Sequence, residues 1–188
     1  MPKIKKTKLV LAAIIISQFI GLQFNVDSSD VSRLLEKLSL KNSSESVEQY
    51  FNDREIQDFN KAIKINPDNE VAYYNRGIAY KNMKQYKKAI QDFDKAISLN
   101  PNLEAAYINR GVAYMDGLKQ YEKAILNFNI AIQLNPNGFD AYNNLGQAYY
   151  LSKNYHEAIK NFDRAIELNP NSTLAKNNRE LCLKAMNN

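Results

Sequence analysis

Aromatic and small residues recur along the chain at a fixed distance. Four phenylalanines are separated by 34, 35 and 34 residues: Phe59, Phe93, Phe128 and Phe162. An alanine three positions later and a proline eight positions later keep the same steps in all four cases. A period of this length is typical of an array of stacked supersecondary units. The one extra residue falls between Tyr114 and Ala124, where we expect a loop around Asp116–Leu118 to accommodate it.

Each unit is predicted to contain two helices. From Glu70 to about Lys84, Tyr73, Gly77 and Tyr80 share one stripe of a helix, the spacing of a buried face. After a short polar turn, the spacing predicts a second helix from about Tyr86 to Leu99. Its inner stripe is Ala89, Phe93 and Ala96. Asn100–Pro101 ends it, because the residue before a proline is disfavoured in the α conformation.

The repeated glycine indicates close packing of the two helices. Glycine inside a helix costs about 1 kcal/mol relative to alanine, yet it recurs at Gly77, Gly111 and Gly146. A small residue here, together with Ala89, lets the paired helices approach, and Phe93 fills the remaining space.

These residues resemble the tetratricopeptide repeat pattern. The motif is Tyr73-x-x-Arg76-Gly77-x-x-Tyr80, then Ala89, Phe93, Ala96 and Pro101, and it recurs in the next two units. The resemblance implies an all-α fold, a right-handed α-solenoid of stacked antiparallel helix pairs, with full repeats at 70–103, 104–138 and 139–172. Tyrosine stands where the family pattern has Trp. Arg76 and Arg110 stand where it has Leu, so each guanidinium needs water or a partner.

Both ends of the array are predicted to be atypical, as is common in solenoids. Residues 29–69 are interpreted as a degenerate N-terminal repeat. In it, Glu55–Ile65 keeps the second-helix pattern, Val31–Leu38 carries a short amphipathic stripe, and Lys41–Ser44 forms the turn between them. Residues 173–188 are interpreted as a C-terminal capping helix and tail.

The first 28 residues are interpreted as a signal peptide or a membrane anchor. Four lysines precede the apolar stretch Leu9–Ile20, and no charge lies between Lys8 and Asp27. Basic before apolar is the layout of a secretory signal, and the uncharged stretch is also just long enough to cross a bilayer. We therefore expect the domain to be exported (periplasmic, secreted or lumenal) or anchored by residues 9–26.

Charge and chemistry argue against catalysis and nucleic-acid binding. Lys3, Lys5, Lys6 and Lys8 supply four of the five net positive charges, so the remainder of the chain is nearly neutral. One Cys and one His exclude disulfide frameworks and multi-histidine metal sites. No phosphate-binding loop or nucleophile elbow occurs. We expect no enzyme activity and no cofactor or metal, with His156 solvated and Cys182 buried as a small apolar residue.

The candidate binding surface lies on the first helix of each unit. At 100° per residue, Asn75 and Ile78 fall on the side away from the packed stripe. In proteins of the resembled family this side lines a concave surface that holds extended peptides. The candidate peptide-binding residues are Tyr74, Asn75, Ile78, Ile108, Asn109, Val112, Asn143, Asn144 and Gln147.

A register of amides runs through this surface, because Asn75, Asn109 and Asn144 each lie two positions before the repeated glycine. An amide both donates and accepts hydrogen bonds, so it can bind a peptide backbone without selecting its side chains. Some members of the resembled family use such a ladder. The alternative is that asparagine is simply common at this position in the resembled family, where it favours helix starts and solubility. Asn178 lies at the next position of the same register.

Two functions follow as hypotheses. The first is a protein-interaction adaptor that binds a protein or extended peptide segment and aids assembly of a larger complex. The second is a structural protein that self-associates into oligomers, which an exposed apolar strip on residues 173–186 would favour. Nucleic-acid binding is not expected, because the groove positions hold no Arg or Lys. Tyr74, Ile108 and Asn143 do not make the basic clamp with which some family members bind acidic chaperone tails.

Overall fold

The computed structural model describes residues 44–187, and within that range the ordered elements are all helical. The helices are α1 (Ser44–Ile65), α2 (Glu70–Asn82), α3 (Tyr86–Leu99), α4 (Glu104–Val112), α5 (Tyr121–Leu134), α6 (Phe139–Leu151), α7 (Tyr155–Leu168) and α8 (Thr173–Met186). The signal or anchor predicted at 1–28 and the stripe at Val31–Leu38 lie outside the described residues. In residues 44–187 no helix has the length and apolar character needed to cross a bilayer.

The helices pack as the stacked pairs that the repeat predicts. α2 pairs with α3, α4 with α5 and α6 with α7, and α8 packs on α7. The predicted second helix Tyr86–Leu99 is confirmed, α8 begins at the first residue of the predicted capping segment 173–188, and the predicted helix at Glu55–Ile65 is the end of the longer α1.

The asparagine before each repeated proline closes the turn between units. Asn100 Oδ1 accepts a hydrogen bond from the Asn102 backbone N–H at 3.1 Å, and Asn66, Asn135 and Asn169 do the same two residues ahead. This local bond supplies an acceptor for a backbone group that the ended helix no longer satisfies. The chain therefore reverses at the same place in every unit.

The glycine–phenylalanine contact sets the distance within each pair. A Cβ on Gly77 would lie 2.6 Å from the Phe93 ring, and Gly111 and Gly146 face Phe128 and Phe162 equally closely. These three rings are fully buried. The packing reason predicted for the glycines is confirmed.

The extra residue of the second unit is absorbed in a helix and not in the expected loop. Ala113–Gly117 forms a π-helical turn, continuous with α4, which accommodates one more residue per turn than an α-helix. Gly117 lies against Tyr86, whose ring leaves no room for a Cβ. The loop prediction is wrong here, because widening one helical turn keeps Ala113 and Met115 buried where a loop would expose them.

The turn inside each pair uses a left-handed residue. Lys84, Lys119 and Lys153 have φ values of 57°, 55° and 65°. This conformation is unfavourable for a residue with a Cβ and favours glycine. The short polar turn predicted here is present, but it carries backbone strain that the pattern did not indicate.

Candidate binding surface

The first helix of each pair has one side that is not fully buried. On α2, Ala72 and Ala79 are buried and Gly77 faces Phe93 of α3. The side opposite to Gly77 stays partly exposed. We call it the inner face, and in the three repeats it consists of Asn75, Ile78, Asn109, Val112, Asn144 and Gln147.

Three other predicted binding residues lie at the border between successive first helices. Tyr74, Ile108 and Asn143 share one register position, on the side that faces the next first helix. Tyr74 reaches Asn109 on α4, and Ile108 packs against the buried clusters around Tyr107 and Met115. Asn143 is only 6% exposed. The structure thus places these three between helices more than on the open surface, and their contact with a peptide stays a prediction.

Asn109 is held by a hydrogen-bond network that links two units. Its Nδ2 donates to Tyr74 Oη at 3.1 Å and to the Ala105 carbonyl at 2.9 Å, while Lys81 Nζ donates to Oδ1 at 2.6 Å. Both amide hydrogens are therefore used, and Asn109 can only accept one further bond. Asn75 and Asn144, at the same register position, have no such network.

Asn75 and Asn144 keep their full hydrogen-bonding capacity. Both are partly exposed, and neither side chain bonds to any residue that the structure describes. Each can therefore donate to a peptide carbonyl and accept from a peptide N–H. They are the members of the predicted ladder that are available to a ligand.

Lys81 is a cation beside the inner face that the sequence analysis missed. Burial lowers the pKa of its ammonium group, and the carboxylate of Asp116 opposes that shift. Lys81 lies seven residues after Tyr74 and so on the same stripe of α2, which is the signal that could have revealed it. Because Asp116 and Asp140 are exposed nearby in register, the surface has no net positive charge.

Asn143 has a buried oxygen without a partner. Its Oδ1 is inaccessible to solvent and accepts no hydrogen bond from the described residues. An unpaired buried polar atom is unfavourable by about 1–3 kcal/mol. The third unit therefore carries a cost at the position where the second unit has Ile108.

Away from the inner face, arginines of the first helices each bridge three helices. Arg76 donates from Nε and Nη2 to both carboxylate oxygens of Asp92, at 2.8 and 2.6 Å, and from Nη1 to Asn60 on α1 at 2.6 Å. The bond to Asp92 is the main reason that the pKa of Arg76 is raised. The partner that the sequence required for this guanidinium is present.

The same bridge recurs in the second unit and is broken in the third. Arg110 binds Asn127 on α5 and Asp94 on α3. Leu145 occupies this position in α6 and is buried, so no guanidinium links α5 to α7 there. On α8, Arg179 binds Asp163 of α7.

The described residues offer no site for metal chemistry. Residues 44–187 contain no cluster of His, Cys, Asp and Glu side chains that could hold a metal ion. Cys182 is fully buried beside Ala158 and Phe162, and this burial raises the pKa of its thiol. His156 is exposed, in a shallow depression of ≈ 500 Å³ between α6 and α7.

Two family models match the chain. The model described as "Tetratricopeptide repeat" matches residues 71–103 and 139–172, and that described as "TPR repeat" matches 56–84 and 118–153. Together they cover every unit of the array in part. No curated protein matches the sequence significantly.

Solved structures share the architecture. The first TPR of Spaghetti (RPAP3), bound to the HSP90 peptide SRMEEVD, has 28% identity and a TM-score of 0.61 over 63% of this chain and 94% of that chain. The Arabidopsis OM64 TPR domain has 27% identity and a TM-score of 0.60 over 62% and 95%. MamA, at 22% identity and a TM-score of 0.69 over 87% of each chain, shows the fold alone.

Proposed function

Because the chain belongs to the tetratricopeptide repeat family, we propose that it is a non-enzymatic adaptor that binds an extended peptide segment of a partner on its inner face and aids assembly of a larger complex. The observation that carries the proposal is the pair of free amides, Asn75 and Asn144, on one continuous exposed side of the array. A similar domain holds an HSP90 peptide, which supports peptide binding as the mode of interaction.

The charge of the inner face favours a neutral or basic peptide. Lys81 is the nearby cation, its Nζ already donates to Asn109, and Asp116 and Asp140 are the exposed charges in register. An acidic peptide such as SRMEEVD would meet these two carboxylates and the cation Lys81, so its charge would not be complemented.

The test measures peptide binding by the full chain and by matched asparagine variants. Random short peptides displayed on phage are selected on the wild-type protein, and affinities of the selected peptides are measured by fluorescence anisotropy. Asn75→Ala/Asn144→Ala should weaken binding about tenfold, since each lost hydrogen bond contributes about 0.5–1.5 kcal/mol. Asn129→Ala/Asn137→Ala, which removes exposed amides elsewhere, is the control and should bind as wild type.

Two results would contradict the proposal. Failure to select any peptide argues against a peptide-binding groove. Tighter binding of SRMEEVD than of the selected peptides would overturn the assignment to neutral or basic segments. Asn109 is left intact in this test, because its substitution would also remove the network with Tyr74 and Lys81.

Self-association is the second candidate function. α8 exposes four apolar side chains, with Leu174 and Leu181 on one side of the helix and Leu183 and Met186 on another, and these exposed residues support self-association through α8. Sedimentation velocity of the full chain over a concentration series tests it. A concentration-dependent dimer that Leu183→Ser/Met186→Ser dissociates would support this function over the adaptor.

The location outside the cytoplasm, by export or tethering, is also a proposal, and it rests on residues 1–28. Membrane fractionation of the native host, with N-terminal sequencing of the purified protein, distinguishes a cleaved signal from a membrane anchor. A mature N-terminus near Ser29 indicates a cleaved signal, an intact one in the membrane fraction indicates an anchor, and an intact one in the cytosol refutes both.

A further inference from the structure

α8 follows the register of a first helix, and it is the last helix of the described residues. Ala175 and Cys182 are fully buried at the positions of Ala141 and Ala148 in α6. Arg179 reaches back to Asp163 as Arg110 reaches back to Asp94. The faces of α8 can therefore be assigned by comparison with the first helices of the three repeats.

Glu180 blocks the close approach of a second helix to α8. It occupies the position of Gly77, Gly111 and Gly146, where any Cβ would collide with the phenylalanine of a paired helix. Its carboxylate forms an ion pair with Lys184 at 2.7 Å, and both side chains are more than half exposed. A further second helix cannot approach α8 as the others approach their partners.

The end of the array that a stacked unit would cover is polar. Asn177 has the register of Tyr74 and Ile108, which face the next first helix, and Lys184 has the register of Met115. Both are exposed. A second copy added end to end would bury these polar groups and would leave Leu174 and Leu181 uncovered.

Leu174 and Leu181 instead continue the inner face. Asn178 has the register of Asn75 and Asn144, and the two leucines lie four residues before it and three after it. Val71 and Ile78 flank Asn75 with the same spacing. The exposed fractions of Leu174, Leu181 and Val71 are 56%, 50% and 54%. Exposed apolar residues therefore flank the amide register on α2, in the first repeat, and on α8, after the last repeat.

We infer that the peptide surface extends onto α8, where Leu174 and Leu181 bind a bulky apolar side chain of the partner peptide and Asn178 contacts its backbone. This inference rests on the proposed function. It identifies the occupant as a peptide, because the leucines are continuous with the amide register and not with the polar end that stacking would use. A large apolar side chain is the complement of two half-exposed leucines that lie about one turn before and one turn after an amide.

The experiment repeats the selection of random phage-displayed peptides on the full-length wild type, on Leu174→Ser/Leu181→Ser and on Leu126→Ser. Leu126 is 61% exposed but lies on α5, the second helix of its pair and not part of the inner face, so its variant controls for the loss of an exposed leucine. Both variants should have the circular dichroism spectrum of the wild type, since the substituted side chains lie on the surface. Affinities of the wild-type peptides are then measured for each variant.

We expect the wild type to select a bulky apolar residue at one peptide position. Leu174→Ser/Leu181→Ser should lose that preference and bind the same peptides about tenfold to thirtyfold more weakly, while Leu126→Ser should match the wild type. Equal affinity of the double variant would overturn the inference and leave the proposed function standing. If no peptide is selected, the proposed function fails and this inference fails with it. If the double variant instead dissociates a dimer without changing peptide affinity, self-association occupies this surface and the inference is wrong.

Discussion

The first two units and the third unit reach the same backbone arrangement with different polar contacts. In residues 70–138, Arg76 and Arg110 each join three helices, and Asn109 ties α4 to α2 through Tyr74 and Lys81. In residues 139–187, Leu145 replaces the arginine and the Asn143 oxygen is unpaired.

This comparison separates what makes the fold from what stabilises it. The buried phenylalanine facing a glycine is common to all three units and sets the spacing of the helices. The polar bridges vary between units, so the fold does not depend on them. The exposed leucines of α8 lie in the region with fewer bridges, whereas the free amides Asn75 and Asn144 are divided between the two regions.

The largest effect should come from removing the buried arginine bridge. Asp92 is only 5% exposed, and Arg76→Ala removes the cation that pairs with its buried carboxylate. We therefore expect a loss of about 3–5 kcal/mol in the free energy of unfolding. Arg179→Ala breaks a pair that is nearly half exposed and should cost at most about 1 kcal/mol. Urea unfolding followed by circular dichroism measures both, and equal losses would show that the bridges do not differ.

The next effect concerns the contact that all units share. Gly146→Ala would gain about 1 kcal/mol in an ordinary helix, but its Cβ would lie 2.7 Å from the Phe162 ring. We expect a net loss of about 1–3 kcal/mol from overpacking. In Gly146→Ala/Phe162→Leu the loss should be less than the sum of the single losses, and strict additivity would refute the contact as the cause.

Replacing the unpaired Asn143 by isoleucine, the residue at the same position of the second unit, should stabilise the protein. Asn143→Ile removes a buried acceptor without a partner, and we expect a gain of about 1 kcal/mol in unfolding free energy. The reciprocal change Ile108→Asn introduces the same defect among Tyr107 and Met115 and should destabilise by about 1–3 kcal/mol. If both variants lose stability, Asn143 makes a contribution that burial does not explain.

The smallest effect is at the left-handed turn residue. Lys153→Gly relieves an unfavourable φ of 65° but adds freedom to the unfolded chain, so the expected gain is about 0.5–1 kcal/mol. Lys160→Gly, in the middle of α7, should instead lose about 1 kcal/mol. Thermal unfolding of the pair checks the sign, and a loss in both would exclude strain at Lys153.

The sequence predicted the fold well because its decisive residues are tied to fixed positions. Only glycine fits beneath Phe93, so Gly77 sets the contact between α2 and α3. Proline cannot continue a helix, so Pro101 sets the end of α3. The same register placed Asn75 and Asn144 on the exposed side. Their role in binding stays a prediction.

The contacts between units could not be read from the pattern. Lys81 reaches an amide 28 positions further along the chain, and its long side chain allows several other partners. The extra residue near Asp116 could have entered a loop or a helix, and the choice depends on the burial of Met115 and the packing of Gly117 on Tyr86. Such features depend on three-dimensional neighbours that one unit does not specify.

Glu180 also limits how this protein can change in evolution. A second helix placed after α8 would meet the Glu180 side chain where the other second helices meet a glycine. A duplicated unit therefore fits this array without further change where it is inserted before Thr173. Each such insertion would lengthen the span between Asn75 and the two leucines of α8 by one unit.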